Sequence, residues 1–417
     1  MNKTLQDRRV SLFLVVVCFA AYTLIGFSRS AYTAALAGII DDGVFTKTAA
    51  GTINSSFYIT YSLAQIFGSF YVDRFSPFKI ISLGILGTIL ANVVMWLYPS
   101  FWVILLARSF SGLVQFGVWP AFLKIITEYI QPEHRGKSKF ILPQGISTGS
   151  ILSFLVAAIV LRVGTWKDLF TVTFVALGIV LVFFWVAVTM AQRRAVPVAA
   201  QKESKLPVAS EQNRKKGENW KLIASSGALL FFISSFMSSI FGNGTGSWMP
   251  TLIMESYDLS PSFSSVLSTL ATCSNLVGIF WVMVLYPKWV KNEAAAVGVY
   301  FLMILPLVVT MIFVGRIPLI LTVALIVFSN MFRSAIHHFY TVEIPAKYQK
   351  YNKAGMMAGL INVAACLGSM TAGTVYGYTA DNFGWSKTIM LWAIFVFIGM
   401  MASFCAAPVW KKFAKRK

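Results

Sequence analysis

The 417-residue chain is 57% hydrophobic and only 12% charged, with a mean hydropathy of +0.72. A soluble domain brings about a quarter of its residues as charge, so a water-soluble globular enzyme is excluded. The net charge of +20 raises nucleic acid as a ligand, and the placement of the cations along the chain decides that question.

In chain order, apolar blocks recur at 11–38, 50–72, 77–98, 101–127, 138–162, 168–191, 222–254, 262–286, 294–315, 318–343, 353–377 and 386–409. Blocks of about 20 residues are what a hydrocarbon core demands, because backbone N–H and C=O groups must be satisfied within the segment. They predict an all-α integral membrane protein with twelve transmembrane helices in two pseudo-symmetric six-helix bundles. The bundles are expected at 1–191 and 222–417, joined by a cytoplasmic linker at 192–221 rich in Lys, Arg, Gln and Glu. The first block follows Arg8 and Arg9 but is too long for a signal peptide and is interrupted by Arg29, so it is read as retained.

Of the 35 Lys and Arg, 26 fall in the amino terminus, the even-numbered loops and the tail, whereas Lys47, Arg162, Lys167, Arg316 and Lys387 fall in the odd-numbered loops. That is the positive-inside pattern. It predicts a multi-pass protein of the inner or plasma membrane with both termini cytoplasmic. An anionic leaflet, not nucleic acid, accounts for the charge. The cysteines Cys18, Cys273, Cys366 and Cys405 are scattered singly, so neither a metal nor a cofactor is expected. No nucleophile or acid/base constellation suggests an enzyme.

Four cations remain inside the spans: Arg29, Arg108, Lys124 and Arg333. None of the 15 carboxylates lies near the middle of a span. A central arginine costs about 2.5–3.5 kcal/mol on insertion scales and is normally offset by an acid, a carbonyl or a wet cavity. With no acid at hand, the missing partner is read as a small organic anion. Arg29 is the first candidate, flanked by Ser28 and Ser30 with Tyr22 and Tyr32 near; its fork suits carboxylate or phosphate oxygens. Arg333 is the second, with Asn330 one turn before it and His337 one turn after. Gln115 and Trp119 are four apart and should share a face. Lys124 is expected to snorkel. The run Gly242-Asn243-Gly244-Thr245-Gly246 reads as a flexible or broken stretch of helix.

Short motifs then carry a resemblance. Ser69-Phe70-Tyr71-Val72-Asp73-Arg74 resembles the G-x-x-x-D-R loop of the major facilitator superfamily, with Ser69 at the first glycine. Arg108, Gly112 and Pro120 fit that superfamily's span-4 pattern. Trp119-Pro120, His134-Arg135-Gly136, Ser247-Trp248-Met249-Pro250-Thr251 and Gly377-Tyr378-Thr379-Ala380-Asp381-Asn382-Phe383-Gly384-Trp385 occur in the order of the organophosphate:phosphate antiporters.

The resemblance implies two rocking bundles with the substrate site at the midplane and roles in gating or packing for Asp73, Arg74, Arg108, Gly112 and Pro120. It implies a substrate arginine in span 1, at Gly26 on one anchoring and at Arg29 on another. A second arginine would fall at Gly242, beside Asn243, and a histidine at Ile146, near Gln144 and Ser147. Those two phosphate contacts are absent here, which leaves Gln144 and Asn243 as polar contacts and brings carboxylates in beside phosphate esters. The related anion:cation symporters place acids where this chain has Ser28 and Gln115. Anion exchange by a monomer is therefore the expectation, with proton-coupled symport as one alternative and a transporter-like receptor as the other.

Overall fold

The structure, a computed structural model, describes residues 2–5, 7–72, 75–198, 226–289, 292–351 and 353–415. Asp73 and Arg74 lie outside them, as does 199–225 of the linker region. The described chain is helical apart from one two-stranded ribbon. Its helices are α1 (Arg8–Asp41), α2 (Lys47–Val72), α3 (Pro77–Leu97), α4 (Phe101–Gln115), α5 (Val118–Tyr129), α6 (Pro132–Ile141), α7 (Gln144–Val163), α8 (Asp168–Arg194), α9 (Ala228–Tyr257), α10 (Pro261–Trp289), α11 (Glu293–Met311), α12 (Leu319–His338), α13 (Ile344–Lys347) and α14 (Ala354–Lys415).

Among the described residues, nine helical stretches are long and apolar enough to cross a bilayer. The expected spans at 50–72 and 262–286 form helices too, α2 and α10, beside those nine. Spans 11 and 12 run together as α14, divided at Gly384, whose φ of 76° and ψ of 175° no helix contains. Span 4 is interrupted at Phe116–Gly117 and becomes α4 and α5. Span 10 ends in a π-turn, Phe339–Glu343, and then α13.

The chain forms two compact units. The first comprises Met1–Phe45, Thr52–Glu203 and Ser260–Thr269; the second comprises Thr46–Gly51, Ser204–Leu259 and Leu270–Lys417. Within hydrocarbon, apolar area drives no association, so helices join through close packing of small residues. In the first unit α1 and α7 do this at Gly26 and Gly149. A Cβ on Gly149 would lie 2.5 Å from Phe27 N, with Thr23 O nearer still. In the second unit, a Cβ on Gly368 of α14 would stand 2.5 Å from Phe236 O and 2.8 Å from Ile240 N of α9.

Two features depart from the reading of the sequence. Residues 2–5 pair antiparallel with 195–198, Asn2 opposite Val198 and Leu5 opposite Ala195, where composition predicted only loop and flexible linker. A lone ribbon is marginal in water. Here its strands leave two neighbouring helix ends tied by Arg194 Nη1 to Asp7 Oδ2 at 2.7 Å. Asp7 also caps α1, accepting the Arg9 N–H at 2.9 Å. That backbone bond, followed by Arg194, holds its carboxyl below the usual carboxylate range.

The second departure is the glycine run. Helix α9 passes through 242–246 unbroken. Thr245 Oγ1 bonds back to the Phe241 and Gly242 carbonyls, and the glycines make room for neighbours: the Tyr376 ring lies against Gly244 and the Arg333 side chain against Gly242. Small residues here mark close approach, not weak helix.

At the start of α11 a carboxylate is buried: Glu293, 3% exposed, meets Lys347 Nζ at 3.0 Å and the Trp410 indole N–H at 2.7 Å. Glu293→Ala would leave that buried indole donor unmatched. An unmatched buried donor costs about 1–3 kcal/mol, so a lower unfolding midpoint by differential scanning fluorimetry is expected; an unchanged midpoint would mean solvent replaces the carboxylate.

Candidate functional site

In the first unit, Arg29 of α1 donates from Nε to Gln115 Oε1 of α4 at 2.8 Å. Gln115 is fully buried and is itself held, its amide donating to Thr88 Oγ1 at 3.0 Å and Ser111 Oγ at 3.1 Å. The Arg29 guanidinium lies over the Tyr61 ring at 4.8 Å and within 5.9 Å of the Phe57 ring, two rings of α2 that stack on each other. Its Nη2 is buried and has no hydrogen-bond acceptor. Two turns earlier on α1, Tyr22 stacks on Trp119 at 5.3 Å. Gln115 and Trp119 thus both address α1, although the helix between them is interrupted. An arginine with a rigid amide on one side, aromatic faces beside it and a spare donor can take an anionic oxygen.

Arg108 differs. It is 2% exposed and both its Nη groups are engaged, on the Arg29 carbonyl (3.4 and 3.5 Å) and Asn54 Oδ1 (3.4 Å), over the rings of Phe57 and Tyr32, with Nε buried and unmatched. Tyr32 is fully buried under that group. Gly112 lets α4 approach α2, where a Cβ would strike Phe57 O and Thr60 Oγ1. Pro120 is the third residue of α5, half-buried. Gln144 opens α7 and its carbonyl accepts the Thr148 hydroxyl. A Cβ on Gly26 would stand 2.8 Å from Ile146 Cα, so helix packing closes that position of span 1. Gly26 and Ile146, where the resemblance placed a cation and a histidine, touch each other instead.

In the second unit, Arg333 of α12 donates from Nη2 to Asn275 Oδ1 of α10 at 2.9 Å, and its buried Nε has no acceptor. Among the described residues, no carboxylate pairs with Arg29, Arg108 or Arg333. Asn330 is buried and turned back on its own helix, donating to Ile326 O at 3.1 Å. Asn243 bridges α9 to α14 through Ser369 Oγ at 2.7 Å. His337 is exposed, and His338 lies 3.7 Å from Glu343.

A second cluster in this unit went unread in the sequence. The first turn of α2 lies along α14. Gly51 meets Gly373, the Lys47 carbonyl rests on Gly377, and Asp381 accepts the N–H groups of Lys47 (3.1 Å) and Thr48 (2.6 Å). Asp381 thus caps a helix far from it in sequence, an anion at a positive helix end. Lys47 Nζ reaches Glu255 at 2.8 Å, and Glu255 also accepts the Trp385 indole N–H at 2.7 Å. Within the run Gly377–Trp385, Gly377 and Asp381 thus hold the first turn of α2, and Trp385 holds Glu255. Removing the cap by Asp381→Ala should cost about 1–2 kcal/mol, with Asp381→Asn retaining part of it. Equal unfolding midpoints for wild type and Asp381→Ala in detergent would refute the cap.

Tyr61, Phe57, Asn275 and Asp381 were all missed. An asparagine in mid-span at 275 and the Phe57/Tyr61 spacing of four were visible signals; the capping by Asp381 was not, because nothing local announces it.

The comparisons with known proteins agree with this architecture. The chain is similar to an Arabidopsis thaliana protein named as a chloroplastic ascorbate transporter, 21% identical, covering 96% of this chain and 74% of the relative. It is 20% identical to the Escherichia coli D-galactonate transporter over 96% of both chains. A match of 24% identity to a probable hexose phosphate transport protein of Chlamydia muridarum covers 40% of this chain and 36% of that one. Among solved structures, a bacterial homolog to the human lysosomal transporter Spinster superposes with a TM-score of 0.81 at 15% identity, covering 98% and 99% of the two chains, which shows the fold. Residues 18–373 match the family model of the Major Facilitator Superfamily, and the chain belongs to that superfamily.

Proposed function

We propose that this membrane protein, whose superfamily comprises transporters and not enzymes, carries a small organic anion with Arg29 as its principal contact. The observation that carries the reading is the Arg29 guanidinium. It is held by Gln115 and backed by Tyr61, with a buried Nη2 that no acceptor meets and no carboxylate to neutralise it among the described residues. An intramembrane cation of this kind is costly unless an acid, a carbonyl, water or an anionic substrate joins it. A substrate that joins it can also favour the conformation that encloses it, which is the differential binding that alternating access needs. Arg333 is a further anion contact on the same reasoning. The names of the ascorbate and D-galactonate relatives support an organic anion, and the hexose phosphate relative keeps phosphate esters in the class.

Exchange is the mode favoured, because no acid sits in mid-span to carry a proton. Proton-coupled symport is the alternative, through His337 or His338. The cation bias of the loops supports both termini on the cytoplasmic face of a cell membrane; the chloroplastic name of the ascorbate relative makes an organelle envelope the competing location.

The test is uptake into proteoliposomes of labelled ascorbate, D-galactonate, inorganic phosphate and glucose 6-phosphate, with glucose as the neutral control. Uptake of at least one anion and not of glucose is expected, accelerated by unlabelled anion inside. Glucose flux with no anion flux would overturn the substrate class. Acceleration by an inward proton gradient, with no effect of internal anion, would replace exchange by symport.

A further inference from the structure

Gly242 and Arg333 sit on different helices and meet. A Cβ on Gly242 would lie 2.6 Å from Arg333 Nε and 2.8 Å from its Cζ, with Cδ nearer still. The space that a side chain at 242 would fill is thus occupied by the end of the Arg333 side chain, arriving from α12. A second observation comes from α10, where Asn275 Oδ1 takes one N–H of Arg333 Nη2 at 2.9 Å. Asn275 is braced from behind. Its carbonyl accepts the Ser334 hydroxyl at 2.6 Å, and a Cβ on Gly278, nearly a turn further on, would stand 2.7 Å from Ser334 Cβ. A third is the Nε–H, buried and without an acceptor.

We propose that Gly242 and Asn275 are positioning residues for anion recognition, setting the Arg333 guanidinium so that it presents free N–H donors and an unneutralised charge. The proposal rests on reading Arg333 as an anion contact. Gly242 acts by having no side chain: any Cβ displaces the guanidinium. Asn275 acts by being an amide and not an acid. It fixes one of the five N–H donors and leaves the positive charge for a carboxylate or phosphoryl oxygen. An aspartate at 275 would hold the guanidinium at least as firmly and would compete with the substrate as an internal counter-ion. A purely structural tether would be indifferent to that exchange or improved by it.

The experiment uses the full chain in two readouts. The first is phenylglyoxal labelling read by peptide mass spectrometry, with Arg108, 2% exposed and with both Nη groups hydrogen-bonded, as the unreactive control. Arg333 should label in the wild type, be protected by millimolar D-galactonate or inorganic phosphate, and lose labelling in Asn275→Asp. The second is proteoliposome uptake of the same two anions. KM should rise about tenfold in Arg333→Gln, Asn275→Asp and Gly242→Ala, with Vmax retained. Gly242→Ala should add nothing further in the Arg333→Gln background. If Arg333→Gln raises KM while Asn275→Asp and Gly242→Ala leave it unchanged, the positioning roles fall and the anion contact stands. If Arg333→Gln leaves KM unchanged, both fall. If Arg333 labels equally in wild type and Asn275→Asp, the role of Asn275 is overturned whatever anion the protein carries.

Discussion

If Arg29 is the anion contact proposed above, Arg29→Gln is expected to lower kcat/KM for the anion by about 100-fold, and Arg29→Lys by about tenfold. Truncating one partner of a buried, hydrogen-bonded charge pair costs about 2–5 kcal/mol, and about 3 kcal/mol is a factor of 100. Glutamine is the informative replacement because it keeps bulk and hydrogen-bonding capacity beside Gln115 while deleting the charge. Lysine keeps the charge and loses the planar fork, which separates a requirement for positive potential from one for two-point contact. Arg29 Nε bonds to Gln115, so Gln115→Leu should show a smaller version of the same defect. Proteoliposome uptake with matched protein incorporation measures all three. Wild-type kinetics in Arg29→Gln would remove this residue from the site.

Gly149→Leu is expected to destabilise the first unit by about 3 kcal/mol or more, at the upper end of overpacking costs. At Gly149 the backbones of α1 and α7 are so close that a Cβ would stand 2.5 Å from Phe27 N and 2.9 Å from Gly26 C. The obstacle is main chain, which cannot rotate away as a side chain can. The two helices would have to part, breaking the Ser30–Ser150 hydroxyl contact of 2.7 Å and shifting Arg29, which α1 carries. Gly178 on α8 is the control: a Cβ there meets nothing within 4 Å, so Gly178→Leu should keep the wild-type midpoint. Thermal unfolding in detergent and the monodispersity of the purified variants decide it. A wild-type midpoint for Gly149→Leu would mean that the interface is looser than its geometry.

Much of the architecture could be read from residue type alone because the bilayer constrains it so tightly. A segment that cannot hydrogen-bond to its surroundings must be helical and of fixed length, so α1, α3, α8 and α11 appear within a few residues of the apolar blocks. The same reasoning failed where the backbone found a partner the composition does not advertise, as in the ribbon of 2–5 with 195–198. It failed again at 242–246, where three glycines suggested weakness and the structure shows room made for Arg333 and Tyr376.

The candidate site divides along the same line. That Arg29, Arg108 and Arg333 are intramembrane cations without intramembrane acids is a property of the sequence, since burial and charge follow from position in a span. Which of them remains available could not be told from spacing. Arg108 gives both Nη groups to a carbonyl and Asn54, Arg333 gives Nη2 to Asn275 over Gly242, and Arg29 gives Nε to Gln115 and keeps Nη2 unmatched. The sequence by itself determined the membrane fold, the cation bias of the loops and the presence of intramembrane arginines without intramembrane acids, because those depend on transfer energies summed over local segments. Only the tertiary structure decided which N–H of each guanidinium is taken and which glycine makes room for Arg333, because hydrogen-bond satisfaction depends on groups that the chain brings together from 58 to 86 residues apart.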